Sequence, residues 1–161
     1  MSDQPQFKLS DFLPYLLSQA SEAVGRRFAA IYKDRYGMLN TEWRVLAHLG
    51  QSGGLTATQV GALAQVHKTK ISRAVAALED KRFVTRSTSA TDRRSATLEL
   101  TKAGRAAYED LAAIAGHYDR QLAESLGRTD HASLVAGLRQ LAGPDDPGQH
   151  PAAKGHAGER R

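Results

Sequence analysis

The chain has 161 residues, 41% of them hydrophobic, with no cysteine and a formal net charge of +5. That length suits one domain with an adequate core, and the lack of cysteine excludes a disulfide framework, a thiolate redox sensor and a cysteine-based zinc site. No apolar run approaches the roughly eighteen residues of a bilayer span, and the opening MSDQPQFKLSDF has no signal-peptide stretch, so a cytoplasmic protein without membrane contact is expected.

In chain order the pattern is mostly helical. Ser10 is a candidate cap for a helix to about Tyr36, with Phe12, Leu13, Leu16, Leu17, Ala20, Val24, Phe28, Ile31 and Tyr32 at three- and four-residue steps. Pro14 is tolerable only in its first turn, and Gly37 can end it. Thr41 is placed to cap a second helix, TEWRVLAHLG, stopping at Gly50 before the turn SGG. Thr58 is placed to cap a short third helix, QVGALAQ, and HKTKISRAVAALEDKR makes a fourth. FVTRSTS and SATLEL alternate as two antiparallel strands, joined by a loop SATDRR. Thr101 then caps an alanine-rich helix to about Leu126, and Thr129 a last one through Leu134, Leu138 and Leu141. The tail from residue 143 to 161, rich in glycine and proline, has little to bury and is expected to be disordered.

Charge is concentrated. Residues 68 to 105 hold ten lysines and arginines against four acids, so this one window carries the whole basic excess. Such a surface suits a polyanion, nucleic acid or an anionic membrane, with a merely solvated basic face as the alternative. In the fourth helix Ile71, Ala74, Val75 and Leu78 share one face and must meet a core. Thr69, Arg73 and Ala76 point the other way, flanked by Lys70 and Ser72. Short residues alternating with basic and hydroxyl-bearing ones let a helix approach the DNA major groove, where arginine and lysine donate to guanine or phosphate and Ser/Thr to either. An ordinary amphipathic surface helix would carry longer Glu and Lys chains paired four apart. With a short helix and a tight turn at Val66–His67 before it, this is a helix-turn-helix.

The hairpin beside it reads as a wing. Asp92 can hold the loop by accepting backbone donors or by pairing with Arg86 or Arg94, leaving Arg93 and Arg94 to reach the minor groove. Lys68 completes the set of expected DNA contacts: Lys68, Thr69, Lys70, Ser72, Arg73, Arg86, Asp92, Arg93 and Arg94.

From about residue 10 to 142 the chain resembles the multiple-antibiotic-resistance regulator (MarR) family. The resemblance rests on ISRAVAALEDKRFVTR, similar to the family's recognition helix and first wing strand, and on TDRRSATLELTKAG, similar to its Asp-x-Arg wing and following Leu-Thr-x-x-Gly. By position, Asp92 and Arg94 fall on the wing pair and Ser72 and Arg73 on the recognition-helix Ser-Arg, while Arg82 stands where many members have glycine. The resemblance implies a mainly α fold with a small β-hairpin wing, a winged helix-turn-helix in an intertwined helical homodimer. It further implies binding to a pseudo-palindromic operator, usually as a repressor released by a small ligand. The corresponding division is a dimerisation helix in 1–37, a DNA-binding lobe in 38–104, dimerisation helices in 105–142 and the tail.

The residues favour a dimer independently, since the first helix and the one after Thr101, with Leu111, Ile114, Tyr118 and Leu122, carry more apolar face than a small lobe covers. Packing within one chain is the alternative. Family members resembling this one often sense phenolic or aryl carboxylic acids in a cleft between dimerisation helices and DNA-binding lobe. Tyr15, Arg26, Trp43, Arg44 and His48 can supply such a cleft, with Tyr15 and Trp43 as flat walls and an arginine pairing with a carboxylate; a conjugate of such an acid fits equally. Trp43 is also a natural core residue, and Arg44 can be exposed or bridge to Glu42 or Asp34. No nucleophile elbow, phosphate loop or metal-ligand pattern is present, and His48, His67, His117, His131, His150 and His156 fall at no ligand spacing. Neither an enzyme nor a cofactor or metal is expected; the competing class is a helical dimerisation protein without specific DNA binding.

Overall fold

The computed structural model describes residues 6–89 and 92–143, apart from the side chains of 88–89 and 92–95. The expected disordered tail therefore lies, beyond Gly143, outside the described residues. Six α-helices and a three-stranded sheet follow in the order α1 (Leu13–Tyr36), α2 (Asn40–Ser52), β1 (Leu55–Thr56), α3 (Ala57–Ala64), α4 (Lys68–Asp80), β2 (Val84–Ser89), β3 (Asp92–Leu100), α5 (Lys102–Leu126) and α6 (Arg128–Ala142).

The helices are where the periodicity puts them, but several caps are not. A short 3-10 helix, Leu9–Asp11, precedes α1, whose N-cap is Phe12; Pro14 takes the first turn, where its missing N–H costs nothing. Ser10 does not cap: its hydroxyl turns to Asp11 Oδ1 at 3.2 Å. Gly37 ends the helix as expected, left-handed at φ 59°, donating to Lys33 O. In α2 the N-cap is Leu39 rather than Thr41, and the helix runs past Gly50 to Ser52. Gly50 is tolerated there because the Tyr108 ring lies where a Cβ would stand, and Arg105 Nη1 donates to its carbonyl at 2.8 Å. Thr56, not Thr58, caps α3, because Gln59 three residues on closes a reciprocal capping box with it. Gln65, left-handed at φ 50°, makes the tight turn, and His67 caps α4 by accepting the Thr69 N–H on Nδ1 at 3.3 Å.

The sheet is antiparallel in the order β1-β3-β2, with Val84 opposite Leu100 and Leu55 opposite Leu98. Two-residue β1 carries too little pattern to be foreseen. Of the loop expected over 89–94, Ser89 belongs to β2 and residues 92–94 to β3, while 90–91 lie outside the described residues. Thr101 caps α5 as expected: its Oγ1 accepts the Gly104 N–H at 3.0 Å and donates to Arg82 O at 2.7 Å. Gly104 has to be glycine here, because a Cβ would collide with the Phe83 carbonyl.

The chain forms two compact units, divided between Gln121 and Leu122. The first holds a single core built from Tyr32, Met38, Val45, Leu46, Leu49, Val60, Ile71, Val75, Leu78, Val84, Leu98 and Leu111, with Ala64, Ala74 and Ala107 in the gaps. Burial of this kind contributes about 25 cal/mol per Å² of apolar surface. Part of the face assigned to a partner is covered within the chain: Leu111 is fully buried, Ile114 packs on the core, and Tyr118 stacks on Phe28 while donating to Val24 O at 2.8 Å. In the second unit α6 starts from Gly127, so Thr129 does not cap it, and it buries no residue. Among the described residues no helix is long and apolar enough to cross a membrane.

Candidate nucleic-acid interface

Helix α4 is seated by Ile71, Ala74, Val75 and Leu78, all buried as the spacing required. Its other faces carry Lys68, Thr69, Lys70, Ser72 and Arg73, every one exposed. The cap at His67 fixes where this row begins, and α3 crosses behind it through the turn at Gln65. One flank of α4 borders an open cleft whose floor is Gly61, Val66 and Ile71 and whose rim is Lys68, Ser72 and Arg86.

Strand β2 brings Arg86 to this flank, but not as a free cation: its Nε donates to Glu79 Oε1 at 2.8 Å, an ion pair between the wing and α4. Glu79 was not singled out in the sequence, although an acid and an arginine seven apart across a helix-to-strand turn signal it in retrospect. Asp92, Arg93 and Arg94 have their backbone on β3 rather than in a loop, and their side chains lie outside the described residues.

The helix-to-strand turn holds the wing against the lobe. Arg82 is left-handed at φ 58°, a conformation that glycine adopts at less cost. Beside it Lys81 Nζ stands 3.0 Å from Glu42 Oε2. Glu42 is only 4% exposed, and this oxygen makes no aligned hydrogen bond, so the attraction is one of charge across α2 and α4. Arg35 and Tyr36 at the end of α1 both bind Asp110 of α5, at 3.0 and 2.8 Å, and Tyr36 meets the Phe83 ring edge-on. Burial and the hydrogen bond to Asp110 raise the Tyr36 pKa above its ordinary value.

The five residues proposed for an effector cleft are not all gathered. Trp43 is half-buried, edge-on to Phe28 and stacked with Tyr32 at the margin of the core. Arg44 is exposed on the same helix, and His48 is half-buried one turn on. Burial first, and the Arg44 charge second, push the His48 imidazole below its ordinary pKa. Arg26 is exposed and donates from Nε to Glu22 O at 3.3 Å. Tyr15 stands apart: thirteen residues before Phe28, it lies about 20 Å away along α1 at 1.5 Å per residue. Within one chain it cannot share a cleft with Trp43. Among the described residues no cluster of three or more His, Asp or Glu is placed to hold a metal ion.

A basic helix-turn-helix with a β-hairpin beside it defines a winged-helix DNA-binding protein. The comparisons with known proteins agree. The MarR family model matches residues 36–95. A MarR family transcriptional regulator from Silicibacter pomeroyi DSS-3 is 30% identical with a TM-score of 0.75, covering 85% of this chain and 97% of its own. The transcriptional repressor CouR, solved bound to a 23-mer DNA duplex, is 27% identical with a TM-score of 0.77, covering 88% and 99%. NadR in complex with 4-hydroxyphenylacetate shares the fold at 24% identity and a TM-score of 0.70, covering 89% and 99%. No curated protein sequence matches the chain. The chain belongs to the MarR family of transcriptional regulators.

Proposed function

We propose that the protein is a ligand-responsive repressor that binds a pseudo-palindromic operator as a homodimer and is released by a small aromatic or aryl-carboxylate compound or a conjugate of one. The observation that carries the reading is the exposed row Lys68, Thr69, Lys70, Ser72 and Arg73 on a helix anchored by its opposite face, with the wing of Arg86, Asp92, Arg93 and Arg94 next to it. Paired copies of such a helix meet successive major grooves on one side of the duplex, about one helical turn apart. The DNA-bound repressor CouR, 27% identical, supports this use of the fold.

Dimerisation is assigned to residues 1–37 and 105–142. Phe7, Leu9, Phe12, Leu13 and Leu16 at the start of the chain stay exposed, and so, in the second unit, do Leu134, Leu138 and Leu141. Exposed apolar residues repeated along an element in this way are candidates for a partner interface. The effector reading rests on Trp43, Arg44 and His48, an aromatic plane and a cation close together on α2, with Arg26 and a partner's copy of Tyr15 as further candidates.

Selection of bound sequences from random duplex DNA, followed by footprinting, tests the reading: two half-sites one turn apart are expected. A single half-site occupied by a monomer would falsify it. Screening aromatic acids for release of the selected duplex then tests the effector class.

A further inference from the structure

Among the described residues, Arg86 and Glu79 form a pairing in which an expected DNA contact is already taken by a side chain of the recognition helix. The guanidinium reaches from β2 to α4 with Nε 2.8 Å from Glu79 Oε1. Neither partner is enclosed: the Arg86 side chain is 43% exposed and that of Glu79 31%. An ion pair this accessible to water contributes little to stability and exchanges readily for another anion. The same guanidinium stands on the rim of the cleft shared with Lys68 and Ser72, on the flank of α4 that runs into its DNA-facing row.

The geometry points to Glu79 as a specificity-determining residue, an internal stand-in for a DNA phosphate that holds Arg86 until a duplex offers a phosphate in its place. This rests on the reading of α4 and the wing as the DNA-binding surface. While Arg86 is paired, the two charges cancel and the wing base adds nothing to the sequence-independent attraction that dominates non-specific binding. Where the duplex seats the recognition helix fully, a phosphate competes for the guanidinium at short range. Where the fit is loose, Glu79 keeps it and its own carboxylate repels the backbone. An element that works against wrong partners is as much a source of specificity as one that favours the right one.

The test needs no operator. The affinity of the full chain for a short duplex of scrambled sequence is measured across a potassium chloride series for wild type, Glu79→Gln, Arg86→Gln and the double variant, each first checked by thermal unfolding. Glu79→Gln is expected to tighten binding about fivefold at low salt and to steepen log affinity against log salt by about one unit, because Arg86 becomes an additional phosphate contact. In the Arg86→Gln background the same change is expected to do almost nothing. Equal gains in both backgrounds would mean that Glu79 acts as a bare negative charge and not through Arg86, and a loss of affinity in Glu79→Gln would mean that the pair only holds the wing in place; either overturns the inference. If wild type shows no salt-dependent DNA binding at all, the regulator reading itself fails, a result distinct from both.

Discussion

The DNA-binding lobe and the two ends of the chain are built on opposite terms. The lobe closes on itself: Leu46, Leu49, Leu78 and Leu98 have no exposed surface, and Gly50 and Gly104 let the Tyr108 ring and the Phe83 backbone approach closely. The start of α1 and the whole of α6 bury nothing, although their apolar residues repeat at the same three- and four-residue steps. Equal periodicity with unequal burial teaches that the pattern reports a face that needs covering and does not say by what.

The largest expected effects come from the lobe. Leu46→Ala removes a fully buried side chain among Val45, Leu49 and their neighbours, and a cavity of this kind costs about 2–5 kcal/mol. Chemical unfolding should show that loss at any protein concentration. Leu138→Glu, on exposed α6, should leave the secondary structure intact and instead shift sedimentation toward monomer, with DNA affinity falling in parallel. A dimer that survives both Leu138→Glu and Leu16→Glu would erase the contrast, since the exposed faces would then be ordinary surface.

Within the lobe, α4 and the wing divide their expected roles. Arg73→Ala should weaken operator binding by about 1–3 kcal/mol and change sequence preference, because a groove-facing arginine reads bases. Arg94→Ala should lower affinity on operator and scrambled duplex alike, with the salt slope reduced by about one unit. Fluorescence anisotropy on both duplexes separates the two; identical behaviour would remove the division.

How much of this was legible follows from what each feature depends on. The buried stripe of α4, the cap at Thr101 and the end of α1 at Gly37 are local in sequence, and each stands as expected. Caps proposed at Ser10, Thr41, Thr58 and Thr129 were not found, because a hydroxyl near a helix start competes with neighbours that the chain path favours; at Thr56 the winner also has Gln59 to reciprocate. The pairings Arg86 with Glu79, Lys81 with Glu42 and Asp110 with Tyr36 depend on how elements cross. Spacing along the chain does not carry that information. Tyr15 and Trp43 are grouped by residue type, and the length of α1 separates them within one chain.

A smaller effect is expected at His48. Burial lowers its pKa in the folded state, so at neutral pH the imidazole is uncharged in both states and its contribution is intact. As pH falls below about 6.5, the ordinary histidine value, the unfolded chain takes up the proton more readily than the folded one, and stability declines until the folded pKa is passed. His48→Gln should flatten that part of the stability-against-pH curve. A curve unchanged by the substitution would mean that another group carries the acid limb.

The smallest expected effect is at Arg82, and its sign is the informative part. The residue links recognition helix to wing with φ 58°, a conformation that costs an L side chain about 1 kcal/mol and glycine much less. Its backbone is fully used: the N–H donates to Glu79 O at 2.8 Å and the carbonyl accepts from Thr101 Oγ1. Among the described residues, the hydrogen bonds of the turn run through this backbone and not through the arginine side chain. Arg82→Gly relieves the strain while giving the unfolded chain more freedom, which offsets part of the gain, so a net stabilisation of about 0.5 kcal/mol is expected. The charge, however, lies in the basic window, so the same substitution should weaken binding to scrambled duplex slightly. Unfolding and salt-series anisotropy on this one variant measure the two contributions with opposite signs. A variant less stable than wild type would show that the arginine side chain supports the turn through packing, and that the left-handed backbone is not where its cost lies.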